Sequence, residues 1–261
     1  MEREKLLVKI AQTDEEVREA LRLRHEIFHQ EHHDRTLPSG LDCDELDEHC
    51  QHLLVLDRAR GIVAGTYRLN SSRSSNRFYA QGRFNLDAFL RSPGDKLELG
   101  RACVRKEYRD GMALHLLWKG IVRYALQIGA RFLFGSASVR TQDPILITKI
   151  YKYLRDTGKI SHEYPITVRA QAAVPGFQKH LSLFDRCHYP VDRSRELLPP
   201  LFRAYLRAGA KVAAPPGLDP HMGSADFFTL LPLAELAHPH QRKYGNPAQN
   251  SHSTSGSPPA F

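Results

Sequence analysis

A basic turn between an apolar run and a helical segment contains the first residues whose types and spacing could do chemistry. Arg105, Lys106 and Arg109 follow the strand-like run 96–104 and precede helical periodicity that begins at Ala113. The first N–H groups of a helix have no partner within the helix, and the helix dipole favours an anion beside them. The pattern therefore predicts a phosphate site and a phosphorylated donor substrate.

Glu98 and Arg101 lie in the strand-like run just before that turn. Residues three apart in a regular strand point to opposite faces. A β-bulge at Gly100 would shift the phase by one residue, so that both side chains reach one site and neighbouring backbone groups lose their partners. The alternative is a plain strand with one exposed charge.

Two more arginines occupy apolar positions. Arg24 falls within the apolar stripe of a helix that Thr13 and Glu16 open with a capping box, and Arg68 alternates with apolar residues of a strand. A buried guanidinium group needs an acidic partner. For Arg24 the alternative is a stem at the edge of the core with its charged head in water.

An acidic segment, GLDCDELDEHC, follows the first helix. Its carboxylates, Asp44 and Asp47 among them, form a solvated loop or hold an ammonium group, as an amine substrate would require. Cysteine and histidine also occur here, but they lack the paired spacing of structural zinc sites, so we expect no metal.

The charge balance restricts the partners. The chain has 37 Lys plus Arg and 29 Asp plus Glu in 261 residues, a net charge of +8, which favours nucleic acid, anionic lipid or an acidic carrier protein. No nucleic-acid recognition motif is present, so we expect no nucleic acid partner. The N-terminus lacks a secretion signal and no run could span a bilayer. We therefore expect a cytoplasmic protein with reduced cysteines, and peripheral contact with the inner membrane stays open.

The surrounding pattern predicts one α/β domain over residues 1–236 and a disordered tail over 237–261. Apolar alternation and turn residues predict strands at 6–10, 52–57, 62–70, 96–104, 131–138, 210–214 and 226–231. Helical periodicity predicts helices that begin near 13, 113, 144 and 197. Periodicity is lost over 158–194, which we interpret as an insertion that covers the substrate.

The predicted strand, bulge, basic turn and helix over 97–125 resemble the acyl-CoA-binding core of the GNAT acyltransferases. Their usual turn is [QR]-x-x-G-x-[GA], and the turn here is one residue shorter. Segments such as RLRHEIF, LELGRACV, RFLFGSAS and LDPHMGSADFFTLL resemble, in order, the hemolysin-like ornithine N-acyltransferases of bacterial ornithine-lipid synthesis. The resemblance covers most of 22–233 and implies a GNAT-like fold, a mixed central sheet flanked by helices with a bulged central strand.

A second resemblance is to the acyl-homoserine-lactone synthases. Their signature has an Arg and a Phe on the first helix, two acidic residues in the next loop, an Arg on a strand and Glu-x-x-Arg on the bulged strand. The matching residues here are Arg24, Phe28, Asp44, Asp47, Arg68, Glu98 and Arg101.

Together the resemblances imply transfer of a fatty or 3-hydroxy fatty acyl group from acyl-carrier protein to the α-amine of ornithine, which forms lyso-ornithine lipid. Glu98 would be the general base, oriented by Arg101 and Arg68. The donor's phosphopantetheine, on carrier protein or as acyl-CoA, would lie on Val104, Arg105, Lys106, Arg109 and Gly111. The substrate side would comprise Arg24, Phe28, Asp44 and Asp47. We expect no permanently bound cofactor. The alternatives are acylation of another amine and a non-catalytic protein that binds acyl chains.

Overall fold

The computed structural model describes residues 6–187 and 192–236. The tail predicted over 237–261 lies outside the described residues. Within them, the strands are β1 (Leu6–Ile10), β2 (Gln51–Asp57), β3 (Ile62–Ser71), β4 (Phe84–Asn85), β5 (Asp95–Val104), β6 (Ala130–Val139), β7 (Thr167–Val168), β8 (Lys211–Val212), β9 (Gly217–Asp219) and β10 (Ser224–Pro232).

Six α-helices occur in the described ranges: α1 (Asp14–His25), α2 (Asp87–Arg91), α3 (Met112–Gln127), α4 (Pro144–Asp156), α5 (Phe177–Arg186) and α6 (Pro200–Ala208). A π-helical turn, Glu26–Glu31, continues α1, and short 3₁₀ turns include Glu45–Glu48, Tyr79–Gly82 and Lys106–Tyr108. In this part of the chain, every helix is too short or too polar to cross a bilayer.

A mixed sheet forms the centre of the molecule. Its strand order is β1-β2-β3-β5-β6-β10-β8, with β9 also paired to β10. The pairing of β5 with β6 is parallel, and the other pairings on this path are antiparallel. The strands β4 and β7 form a separate two-stranded ladder. The sheet agrees with the α/β class expected from the sequence.

Apolar side chains cover both faces of the sheet. On one face, α3 packs through Leu117, Trp118 and Ile121 into the largest core cluster, because apolar residues recur at helical spacing along it. On the other face, α1 packs over β2 and β3, and a phenylalanine cluster that includes Phe89 and Phe134 packs beside β6. The second face also carries the polar residues described below.

The bulge expected in β5 is present, one step beyond the predicted glycine. Thr66 pairs with Cys103 and Arg68 pairs with Gly100, so β5 has one residue more than β3 in this interval. Arg101 has φ of 51°, a left-handed conformation that a non-glycine residue rarely adopts. The bulge shifts the alternation of side chains, which allows Arg101 to point to the same face as Glu98.

The two parallel strands at the centre stop pairing after Glu98 and stay close at Leu99 and Gly135. Their register ends where Glu98 pairs with Phe134. At the next residue of β6 the backbones nearly touch, because a Cβ added to Gly135 would lie 2.3 Å from the carbonyl oxygen of Leu99. Only glycine permits this approach. Beyond it, β5 has no partner on its β6 side, so its backbone groups face the opening between the strands.

Most predicted elements are confirmed, including the β2–β3 hairpin, the Thr13 cap of α1 and the Asp143–Pro144 start of α4. The sequence did not predict α2, α5, β4, β7 or β9, which are short or lie in segments without clear period. None of the described residues of 158–194 lines the cavity between β5 and β6, and the covering role of this segment stays a prediction.

Candidate active site

A cavity of about 480 Å³ opens where β5 and β6 separate. One wall is polar and includes Arg68, Tyr79, Glu98 and Arg101. The other wall is mainly apolar, with contributions from Phe28, Tyr67, Leu99, Ala137, Leu201, Phe202 and Tyr205. Such a cavity has room for an apolar chain next to a few fixed polar groups, which is typical of small-molecule sites.

Glu98 is the buried carboxylate at the point where the strands separate. It is 4% exposed and accepts hydrogen bonds from the backbone N–H groups of Tyr79 (2.9 Å) and Ala80 (2.8 Å). Burial raises the pKa of Glu98, although these hydrogen bonds and the guanidinium groups of Arg68 and Arg83 act in the opposite direction. A carboxylate with a raised pKa in a cavity is suited to accept a proton.

Three arginines and three aspartates form what we call the arginine–aspartate network. Its members are Arg24, Arg68, Arg101, Asp42, Asp44 and Asp47. Arg24 contacts Asp47 at 2.7 Å and Asp42 at 3.2 Å. Arg68 contacts Asp44 at 2.6 Å and Asp47 at 3.1 Å, and Arg101 contacts Asp44 at 3.0 Å. The network therefore joins α1, β3 and the bulge of β5 to the acidic loop.

The two alternatives left open for Arg24 are now resolved. Its side chain is 1% exposed and makes two hydrogen bonds to Asp47, so it is a buried ion-pair partner and not a stem at the core edge. Burial alone would raise the pKa of Asp47, but the hydrogen bonds and charge of Arg24, with the charge of Arg68, hold it well below its usual range. Asp44 and Asp47 thus neutralise arginines within the protein.

A second polar group, which we call the Tyr79 cluster, contains Tyr79, Arg83, Asp219 and Asp226. The Tyr79 hydroxyl donates to Asp219 (2.8 Å), and its ring lies 4.1 Å from the guanidinium carbon of Arg83. Arg83 contacts Asp226 at 2.6 Å and Asp219 at 3.3 Å. The guanidinium carbon of Arg101 is 4.5 Å from the same ring, so Tyr79 connects this cluster to the bulge.

The residues predicted for the donor phosphate lie at the other end of β5. Arg105 contacts Glu26 at 2.6 Å, and Arg109 makes two hydrogen bonds of 2.7 Å to Glu31. Lys106 is exposed. Gly111 caps α3 with φ of 99°, and a Cβ there would meet nothing within 4 Å. The start of α3 is thus open to an approaching group. Of the three cations beside it, Arg105 and Arg109 are already paired with glutamates of the π-helical turn.

The structure gathers only part of the predicted set around the cavity. Phe28, Arg68, Glu98, Arg101 and Arg109 line it. Arg24, Asp44 and Asp47 support that wall from behind, and the lining does not include Val104, Arg105, Lys106 or Gly111.

The sequence prediction missed Tyr79, Arg83, Asp219 and Asp226. A charged residue within an apolar run was the available signal, as with Arg83 between Phe78 and Phe89 and Asp226 at the start of an apolar strand. Over the described residues, His, Cys, Asp and Glu form no group of three that could hold a metal ion.

The chain is similar to several known proteins. The model of the acetyltransferase (GNAT) domain family matches residues 23–119, which include the end of α1, the bulge and the first half of α3. The match covers less than half of the chain and shows that this part is similar to the GNAT acetyltransferases.

Over most of its length the chain is similar to curated proteins named L-ornithine N(alpha)-acyltransferase. The protein from Rhizobium meliloti (strain 1021) is 29% identical over 92% of this chain and 84% of its own length. The protein from Agrobacterium fabrum (strain C58 / ATCC 33970) is 27% identical over 94% of this chain and 86% of its own. A solved structure of BjaI, a CoA-dependent acyl-homoserine lactone synthase, has a TM-score of 0.46 and 18% identity, and the alignment covers 90% of this chain and 85% of that one.

Proposed function

We propose that this protein is an N-acyltransferase that moves a fatty acyl group from the thioester of acyl-carrier protein to the α-amine of ornithine, forming lyso-ornithine lipid. The observation that carries the proposal is the position of Glu98, a buried carboxylate with a raised pKa at the point where β5 and β6 separate. The choice of ornithine rests on the names of the relatives.

The reaction requires a neutral amine and a polarised thioester. Glu98 accepts the proton from the ammonium form of the acceptor, directly or through a water, so that the amine nitrogen can attack the thioester carbon. The unpaired backbone of β5 beyond Glu98 donates to the carbonyl oxygen as negative charge develops there. The C–N bond forms and the C–S bond breaks. The sulfur leaves as a thiolate and takes up the second proton, which the nitrogen loses as it becomes an amide.

The donor's two chemical parts match two parts of the molecule. The acyl chain occupies the apolar wall of the cavity around Leu99, Phe202 and Tyr205. The phosphopantetheine phosphate lies at the start of α3, where the space beside Gly111 is open and Lys106 is exposed. Lys106 and its neighbours then face the acidic surface of a carrier protein, which the net charge of +8 also favours.

The arginines and aspartates near the cavity have positioning roles. Arg68 and Arg101 fix the wall on which Glu98 and Tyr79 lie. Asp44 and Asp47 hold the acidic loop against these arginines through ion pairs that neutralise their charges. Arg24 connects the loop to α1, and Phe28 contributes apolar surface at the cavity.

Expression in a bacterial host that lacks ornithine lipids tests the proposal. Lipid extracts should contain a new species whose mass and hydrolysis products are those of ornithine with one amide-linked fatty acid. A new lipid that contains a different amine would show that this amine, and not ornithine, is the acceptor. Absence of any new aminolipid, with the protein present and folded, would contradict the proposal and favour a protein that only binds acyl chains.

A further inference from the structure

The two polar groups beside the cavity differ in charge. In the arginine–aspartate network, three guanidinium groups face three carboxylates. In the Tyr79 cluster, one guanidinium group, that of Arg83, faces both Asp219 and Asp226. Among the described residues, no other cation lies within ion-pair distance of these two carboxylates, which are 5% and 1% exposed. Buried carboxylates in excess of their cations are costly unless a further cation joins them.

Only one of these two carboxylates faces the cavity. Asp219, the last residue of β9, is part of the lining, together with Met222 and Ser224 just after it. Asp226 lies behind it against Arg83 and Ser138. A cation that enters the cavity therefore meets Asp219.

Tyr79 sets the distance between Asp219 and the candidate base. Its backbone N–H donates to Glu98 and its hydroxyl donates to Asp219, so the two carboxylates are separated by the length of one tyrosine side chain. A molecule with two amino groups several bonds apart could reach both. One amino group would react at Glu98 and the other would stay charged at Asp219.

A donor without a partner lies on the same wall. The Nε of Arg101 is buried and donates no hydrogen bond to any described residue, with Asp42 3.8 Å away. Arg101 lines the cavity between Glu98 and the acidic loop. A free N–H of a guanidinium group suits the carboxylate of an amino acid.

We propose that Asp219 binds the side-chain ammonium group of the acceptor and thereby selects a diamino acid, whose carboxylate contacts Arg101 and whose reacting amine lies at Glu98. This inference rests on the proposed function and adds the residue that determines its acceptor. Removal of one member of a buried charge pair costs about 30-fold or more in affinity, which sets the size of the expected effect.

Acylation rates with ornithine and with norvaline, which has the same carbon chain without the second amine, test the proposal. Asp219→Asn keeps an oxygen that can accept from Tyr79 but removes the charge. Its ratio of kcat/KM for ornithine over norvaline should fall by about 30-fold or more, with the change mainly in KM for ornithine. The rate with norvaline, which has no second amine, should fall by much less than the rate with ornithine.

Asp226→Asn is the matched control, since it removes a carboxylate charge from the same Arg83 without touching the cavity. It should keep the ornithine preference. If Asp219→Asn folds and retains the preference, or if Asp226→Asn loses it equally, the assignment of Asp219 is overturned. If the wild type acylates neither ornithine nor norvaline, the result contradicts the proposed function, and the assignment of Asp219 is lost with it.

Asp219→Glu provides a second route if Asp219→Asn does not fold. It moves the charge outward by one methylene group, so the preferred acceptor should become the shorter 2,4-diaminobutyrate. An unchanged optimum at ornithine would overturn the proposal.

Discussion

The arginine–aspartate network and the Tyr79 cluster lie on the same face of the sheet and border the same cavity, but only the first is balanced in charge. The network has one carboxylate for each guanidinium group and holds the acidic loop against α1 and β5. The Tyr79 cluster has two carboxylates for Arg83. The contrast teaches that a dense set of ion pairs near a cavity can be structural, and that uncompensated charge is the better indication of a ligand.

Glu98 lies between the two groups, and its substitution should have the largest effect on activity. Glu98→Gln should lower kcat by roughly 10²- to 10⁴-fold, because an amide cannot accept the proton of the attacking amine. Release of free thiol from acyl-carrier protein measures the rate. The raised pKa of Glu98 also predicts that wild-type kcat/KM falls at low pH through a pKa above the ordinary glutamate value of 4.5.

Thermal unfolding is the control for this variant, since glutamine can still accept a backbone hydrogen bond from Tyr79 or Ala80. A folded Glu98→Gln protein with near-normal turnover would remove Glu98 from the role of base.

A matched pair of charge removals tests the contrast in stability. Asp47→Asn breaks the balanced network and should destabilise the protein by about 3–5 kcal/mol. The reason is that the buried Arg24 loses the carboxylate to which it donates two hydrogen bonds. Asp226→Asn leaves one carboxylate for Arg83 and should cost about 1 kcal/mol. Thermal denaturation should place the Asp47→Asn midpoint about 6 °C or more below that of wild type. Equal losses in the two variants would contradict the distinction between the groups.

The difference in stability between wild type and Asp47→Asn should disappear in acid. The folded-state pKa of Asp47 is lowered, so its contribution to stability is present above the unfolded-state pKa of about 3.9 and is lost as the pH falls through the folded value. The gap in unfolding free energy between wild type and Asp47→Asn should be constant near neutral pH and shrink below about pH 4. Denaturant titrations at several pH values measure it, and a gap that widens in acid would refute the ion-pair account.

The smallest expected effect is at the far end of β5, where neither polar group reaches. Lys106→Glu places a negative charge beside the start of α3 and should raise KM for acyl-carrier protein about 10-fold, with kcat unchanged and with a weaker effect at high salt. The control is Lys211→Glu, an exposed lysine on β8 at the opposite side of the sheet. An unchanged KM in Lys106→Glu, or an equal rise in both variants, would exclude this surface as the carrier site.

Local sequence patterns predicted most of the regular elements. Examples are the alternation in β2 and β3, the Thr13 cap and the apolar stripe of α3. Each depends on interactions within a few residues, so it can be predicted from the sequence alone. The bulge was also predicted, but at Gly100, because glycine is the residue that most easily adopts left-handed backbone. In the structure Arg101 adopts it, held by its contacts to Asp44 and Tyr79.

The sequence by itself determined which chemical groups the site contains: an inward Arg24 and Arg68, a Glu-x-x-Arg strand, an acidic loop and a basic turn before a helix. Only the tertiary structure decided how these groups are used. It paired Asp44 and Asp47 with arginines, which removed them as free carboxylates, and it brought Asp219 from a distant turn to Tyr79 and the cavity. The physical reason is that charge balance depends on contacts between residues as far apart as Tyr79 and Asp219, which no local spacing in the chain encodes.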